Sequence, residues 1–158
     1  MLLTYHNTHK YLFLWVLIYN ILWIYVTYTL DPTVPYDAIE AINWGMNCEW
    51  GSSKNPWFVG VLMWFAIYFN LSYSFYWYLI HFIGVAIGMI GVWFLSFLLT
   101  KNHELSWLAL LMLNLSGIIN IDIIPYNDNY ILVALWPWIL FFFYKLFIVI
   151  KNSGYHLP

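Results

Sequence analysis

The stretch of sequence that decides the fold runs from Tyr73 to Leu99 and reads YSFYWYLIHFIGVAIGMIGVWFLSFLL. It contains no Asp, Glu, Lys or Arg. An α-helix needs about 20 consecutive apolar residues to cross the hydrocarbon core of a bilayer, and this stretch is longer. It therefore predicts a transmembrane helix.

The composition of the whole chain agrees with that prediction. Of the 158 residues, 64% are hydrophobic and only 8% are charged, whereas a soluble domain has roughly 25% charged residues. A soluble domain of this size could not bury so much apolar surface. The net charge of −2 and the lack of a basic cluster argue against nucleic-acid binding. The single cysteine, Cys48, excludes an intrachain disulfide and a cysteine-based zinc site.

Four other apolar runs lie outside the central stretch. Tyr11–Leu30, Leu105–Ile121 and Tyr130–Ile150 are interpreted as further crossings, and Trp57–Phe69 is shorter. The first run follows Lys10 and has no small-residue cleavage site near its end, so it is interpreted as a retained signal anchor. An apolar run as short as Trp57–Phe69 is more often interfacial or re-entrant than membrane-spanning.

The five basic residues, all lysines, decide between two topologies. If Trp57–Phe69 does not cross the bilayer, only Lys54 lies outside the cytoplasm; if it crosses, most lysines lie outside. The positive-inside rule favours the first arrangement. We therefore predict one all-α polytopic transmembrane domain over residues 1–158, with four spans, a short interfacial or re-entrant helix and both termini inside. Six of the seven acidic residues then fall in two outer loops, residues 31–55 and 122–129, with Glu104 as the exception.

Carboxylates in the first outer loop form a helical pattern. Asp37, Glu40 and Trp44 follow one another at i, i+3 and i+7, which places them on one helix face. One interpretation is a capping-box-like helix start, with Asp37 as N-cap and Glu40 at the third helical position. The other is an acidic pair at the membrane surface that accepts a proton or holds a cation.

The remaining polar residues of the outer loops also allow two interpretations each. Lys54 and Asn55 precede Pro56 at a helix start, where a cation beside free backbone donors suits a phosphate; a snorkelling interface lysine is the alternative. Asp122, Asn127 and Asp128 can bind sugar hydroxyls or a divalent cation through oxygen, and they are also ordinary turn residues.

Two features of the central stretch suggest structural roles. Gly84, Gly88 and Gly91 form a small-residue face of the kind that packs membrane helices together. His81 lies near the outer end of the same span and is predicted to be a hydrogen-bonded interior histidine.

Three segments of the outer loops form a recognisable set: Asp37-x-x-Glu40-Ala41-x-x-Trp44-Gly45, Glu49-Trp50-Gly51-x-x-Lys54-Asn55-Pro56, and Tyr126-Asn127-Asp128-Asn129-Tyr130-Ile131-Leu132-x-x-Leu135-Trp136-Pro137. Together they resemble the outer loops of the family 39/83-type membrane glycosyltransferases. These are the protein O-mannosyltransferases and aminoarabinose-transferase-like enzymes of the GT-C fold.

The resemblance implies transfer of a sugar from a polyprenyl-phosphate-linked donor to a lipid, glycan or protein acceptor, at the outer face of a bacterial cytoplasmic membrane. Its implied catalytic residues are Asp37 and Glu40, and its implied donor-phosphate ligands are Lys54 and Asn55. Four residues would complete the pocket: Trp44, Asp122, Asn127 and Asp128. No cofactor is assigned, and a divalent cation is the one candidate.

The chain departs from that family in two respects. Asn55 stands where the family has a histidine or lysine before the proline. Family members are also several times longer, so the chain is expected to correspond to their N-terminal portion. The alternative hypothesis is a noncatalytic small membrane subunit that binds partner helices through Gly84, Gly88 and Gly91.

Overall fold

The structure is a computed structural model that describes residues 5–47, 57–117 and 130–152. All regular elements in these ranges are α-helices: α1 Tyr5–Leu30, α2 Tyr36–Met46, α3 Trp57–Tyr68, α4 Tyr73–Thr100, α5 His103–Leu115 and α6 Tyr130–Asn152. The predicted all-α class is confirmed.

Three of the described helices have the length and apolar character of membrane spans. They cover Thr8–Leu30, Tyr73–Thr100 and Tyr130–Lys151. Each contains more than the ~20 residues that the hydrocarbon core requires. The chain is therefore a helical membrane protein, and three of its predicted crossings coincide with α1, α4 and α6.

The predicted fourth crossing, residues 105–121, differs from the helix observed there. Helix α5 starts earlier, at His103, because the side chain of Asn102 accepts hydrogen bonds from the backbone N–H groups of Glu104 and Leu105. It ends at Leu115, ahead of Gly117, which has a positive φ of 75°. Thirteen residues at 1.5 Å each reach about 20 Å, short of the ~30 Å hydrocarbon core. Within the described residues, α5 is too short to be a span.

Ring contacts between α1 and α4 establish that these two helices are antiparallel. His9 stacks on Phe94 with ring centroids 5.8 Å apart, and Tyr28 meets Phe75 at 5.6 Å. The end of α1 therefore lies beside the start of α4. The intervening chain, including α3, leaves and returns at the same end of the bundle. Helix α3 itself has 12 residues, too few for a span, as predicted for the run at 57–69.

Helices α5 and α6 continue the alternation of direction. His103 stacks on Phe97 at 4.4 Å, whereas Asn114 approaches Met89, so α5 runs antiparallel to α4. Tyr130 packs on Trp77 at 5.9 Å. Further along α6, Phe141 packs on Phe94 at 6.4 Å, so α6 runs parallel to α4. Helix α6 therefore begins near the start of α4, beside Trp77, although α5 alone is too short to reach that end of the bundle.

These directions separate the charges of the described residues. Four lysines lie at the end of the bundle where α4 finishes, here called the basic end: Lys10, Lys101, Lys145 and Lys151. Asp31, Asp37 and Glu40 belong to the opposite end, here called the acidic end, between the last residue of α1 and the first of α4. Glu104 lies at the basic end, as predicted. The predicted grouping of these four lysines on one side is confirmed.

Helix α4 is the centre of the bundle and packs against α1, α5 and α6. Its fully buried side chains include Trp77, Tyr78, Phe82, Met89 and Trp93. The small-residue face of α4 packs against α6 of the same chain. A Cβ on Gly84 would meet Tyr130, and one on Gly88 would meet Val133. The predicted glycine face is thus a helix-packing face, but its partner is internal.

The turn between α3 and α4 follows from one residue with positive φ. Asn70 has a φ of 52°, a left-handed conformation that asparagine tolerates better than most residues. Its N–H donates to the carbonyl of Ile67, and the next N–H, of Leu71, donates to the carbonyl of Ala66. These two bonds form a Schellman motif, which ends α3 and turns the chain into α4.

Candidate functional site

Helix α2 carries the predicted acidic pair. Its buried face consists of small and aliphatic residues: Ala38, Ala41, Ile42 and Gly45. Asp37, Glu40 and Trp44 are each half-buried on one flank of that face, while Tyr36 and Met46 are exposed. The prediction that Asp37, Glu40 and Trp44 share one helix face is confirmed.

The capping-box interpretation of Asp37 and Glu40 is wrong. The N-cap of α2 is Pro35, and no side chain makes a capping hydrogen bond there. Proline suits this position, since its fixed φ of −57° matches the helix start and its missing N–H leaves no donor to satisfy. Asp37 instead lies inside the first turn, where the helix dipole favours a negative charge. Its carboxylate is therefore not committed to capping the helix.

Helix α3 packs against α2. The two helices meet where Gly45 faces Gly60: a Cβ on Gly45 would stand 2.8 Å from the carbonyl oxygen of Gly60. A Cβ on Gly60 would stand 2.9 Å from Cβ of Trp44. Only glycine at both positions lets the backbones approach this closely. The indole of Trp44 is thereby positioned beside the crossing point, on the flank that also carries Glu40.

A short connection fixes the entry to α2. Oδ1 of Asp31 accepts hydrogen bonds from both the N–H and the hydroxyl of Thr33. The backbone carbonyl of Pro35 then accepts the first helical bond, from the N–H of Ile39 at 3.1 Å. This local bonding turns the chain directly from α1 into α2, so Asp37 and Glu40 stay at the acidic end of the bundle.

The other predicted site residues lie outside the described residues. These are the donor-phosphate ligands Lys54 and Asn55 and the pocket residues Asp122, Asn127 and Asp128. Among the residues that the structure does describe, no three His, Cys, Asp or Glu side chains come together as a metal site. The candidate site therefore consists of Asp37, Glu40 and Trp44.

A polar cluster between α1, α4 and α5 was missed by the sequence analysis. Asn20 of α1 and Asn114 of α5 each point an amide Nδ2 at the sulfur of Met89, both at 3.8 Å. Nε1 of Trp15 donates to Oδ1 of Asn114 at 3.3 Å. Two asparagines within apolar runs were the available signal, because polar side chains in a span rarely face lipid. The cluster ties α1, α4 and α5 together at one level.

His81 is buried, as predicted, but its predicted hydrogen bond is absent. Neither ring nitrogen has a hydrogen-bond partner among the described residues, and the side chain is 0% exposed. The imidazole packs instead against the rings of Tyr130, at 4.9 Å, and Phe82, at 5.3 Å. Within the described part of the chain it is a packed aromatic ring between α4 and α6.

Comparison with known proteins finds no relative: no family model, curated protein or solved structure matches the chain.

Proposed function

We propose that this chain is a membrane glycosyltransferase, or the N-terminal portion of one, that uses a polyprenyl-phosphate-linked sugar as donor. The observation that carries the proposal is the half-buried pair Asp37 and Glu40 on one flank of α2, at the end of the bundle opposite the lysines. With the lysines in the cytoplasm, that end faces outward. The loop resemblance supplies the reaction class, and the bacterial cytoplasmic membrane is the proposed location.

In the proposed reaction, the Asp37 carboxylate accepts the proton of the acceptor hydroxyl as its oxygen attacks the anomeric carbon. The bond between that carbon and the donor phosphate breaks, and the polyprenyl phosphate leaves with the electron pair. A cation and backbone donors stabilise such a leaving group where its charge develops, the role proposed for Lys54 and Asn55. Glu40 orients the acceptor, and Trp44 offers an apolar sugar-stacking surface.

The chemistry also explains the placement of the carboxylates. A general base must lie within hydrogen-bond reach of a bound hydroxyl, so it cannot face lipid or be sealed in the core. The half-buried flank of α2 satisfies this requirement. The second outer loop, with Asp122, Asn127 and Asp128, is proposed to close the pocket and is the candidate place for a divalent cation.

The test is sugar transfer from a labelled polyprenyl-phosphate-sugar in native membranes that contain the intact protein. Asp37→Asn keeps the size of the side chain and removes its basicity, and loss of a general base typically lowers the rate about 10²–10⁴-fold. Asp31→Asn is the matched control: Asp31 is a carboxylate at the same end but off α2, and asparagine keeps the Oδ1 that accepts hydrogen bonds from Thr33. Transfer at the wild-type rate by Asp37→Asn would refute the proposed role.

A second candidate, a noncatalytic membrane subunit, is favoured by the exposure of α6. This helix packs on α4 along one side, while large apolar residues such as Trp136, Phe143 and Phe147 are exposed on its other sides. Because the glycine face is occupied internally, this candidate places the partner helix on α6. Two substitutions distinguish the candidates. A noncatalytic subunit would keep its function in the Asp37→Asn variant. In the Phe143→Cys variant, the new cysteine of such a subunit would cross-link to one defined partner protein.

A further inference from the structure

A groove runs along the seam between α1 and α4, on the surface of the spanning bundle. Its volume is about 440 Å³. Phe13, Leu17 and Ile21 are among the residues that line it from α1, together with the polar Asn20, and Phe82, Ile83 and Ala86 line it from α4. The three apolar α1 residues recur at i, i+4 and i+8 and the α4 residues at i, i+1 and i+4, so the stripe that each helix presents to the groove is apolar apart from Asn20. The small side chain of Ala86 leaves the space open.

The length and lining of the groove suit a hydrocarbon chain. Along α1 it extends from Phe13 to Ile24, about 16 Å at 1.5 Å per residue. Its walls are apolar on both helices apart from Asn20. A hydrocarbon chain that lies lengthwise in the groove makes van der Waals contact with these walls.

Charge at one end of the groove indicates the head group. Lys10, Phe13, Leu17 and Ile24 lie at i, i+3, i+7 and i+14 of α1, so the lysine continues the face that lines the groove. Lys10 is exposed, one turn beyond Phe13 and at the basic end. Its apolar stem can lie along the helix while its ammonium reaches the polar surface of the bilayer. Lys101, also exposed, ends α4 on the same side.

We propose that this groove binds one acyl chain of an anionic glycerophospholipid, whose phosphate pairs with Lys10. The chain lies between α1 and α4, and the head group lies at the basic end. The site is separate from the proposed donor site, because Asp37 and Glu40 belong to the opposite end of the bundle. An anionic phospholipid of the lysine-side leaflet, rather than the sugar donor, is the occupant.

The test is native mass spectrometry of the full chain released from a neutral detergent, titrated with phosphatidylglycerol or phosphatidylcholine of the same acyl length. The wild-type protein should retain one phosphatidylglycerol at lower lipid concentration than phosphatidylcholine. Lys10→Gln should weaken phosphatidylglycerol binding about fivefold, since one lysine near anionic lipid contributes about that factor. Lys151→Gln, at the same end but on α6, is the matched control and should have no effect.

A second variant tests the groove itself. Ala86→Phe fills it and should abolish the bound phosphatidylglycerol, whereas Ala109→Phe, on α5 and away from the groove, should retain it. Equal retention of both lipids by the wild-type protein, or an unchanged phosphatidylglycerol adduct in both Lys10→Gln and Ala86→Phe, would overturn the proposal. A dimer that dissociates in Ala86→Phe would also overturn it, because the occupant would then be a second copy of the chain.

Discussion

The carbonyl oxygen of Val133 lies 2.5 Å from the position that a Cβ atom on Gly88 would occupy. The donor that would ordinarily bond this carbonyl inside α6 is the N–H of residue 137, which is a proline. The hydrogen that glycine carries in place of Cβ points at that oxygen, a weak contact that recurs between packed helices. Gly88 and Pro137 therefore act together to bring α4 and α6 into backbone contact.

We predict that Gly88→Ala lowers the stability of the protein by about 1–3 kcal/mol, because the new methyl would collide with backbone atoms that cannot rotate away. Thermal unfolding in detergent measures the change. Gly84→Ala is the control: its nearest neighbour is the ring of Tyr130, at 3.0 Å, which can shift. An unchanged unfolding temperature for Gly88→Ala would contradict the backbone contact.

The second prediction concerns orientation across the membrane. Reporter fusions after Lys101 and after Lys151 should both report the cytoplasm, since the structure places both lysines at the basic end and the positive-inside rule places that end inside. A fusion after Asn47, which follows α2, should report the opposite side. A fusion at Lys101 that reports the outside would reverse the orientation, and opposite readings at Lys101 and Lys151 would contradict the parallel packing of α4 and α6.

The third prediction separates structure from chemistry at Asp37. Because no side chain caps α2, Asp37→Asn removes only the favourable interaction of a charge with the helix dipole, about 0.3–1 kcal/mol. Its unfolding temperature should stay close to that of the wild-type protein in the same detergent. A large loss of stability would show that the carboxylate has a structural role, and any loss of sugar transfer could then not be assigned to proton transfer.

The fourth prediction contrasts the two asparagines of the polar cluster between α1, α4 and α5. Oδ1 of Asn20 has no hydrogen-bond partner among the described residues, and an unsatisfied buried acceptor costs about 1–3 kcal/mol. Asn20→Leu should therefore leave stability unchanged or raise it. Asn114→Leu removes the acceptor of Trp15 and should lower stability by about 0.5–1.5 kcal/mol. Unfolding measurements that give both variants a loss of similar size would show that Asn20 is satisfied.

The sequence alone predicted the helical class, the spans at α1, α4 and α6, and the short helix α3. It also predicted which four lysines share a side. These properties depend on the apolar length of each segment and on the cost of moving a charge across the bilayer. Both are set residue by residue, without knowledge of which helix touches which. The shared flank of Asp37, Glu40 and Trp44 was predictable for the same reason, since helical periodicity is local.

Only the tertiary structure decided how the helices pair. It assigned the glycine face of α4 to α6 of the same chain, brought Asn20 and Asn114 to one sulfur atom, and left His81 among aromatic rings without a hydrogen bond. It also excluded the capping interpretation of Asp37, because Pro35 is the N-cap of α2. Within the described residues, it gave α5 only 13 residues, fewer than the predicted fourth span. Each of these outcomes depends on which side chains from distant segments fit together at close range. The reason is that helix packing in a membrane is governed by van der Waals and hydrogen-bond contacts rather than by hydrophobicity.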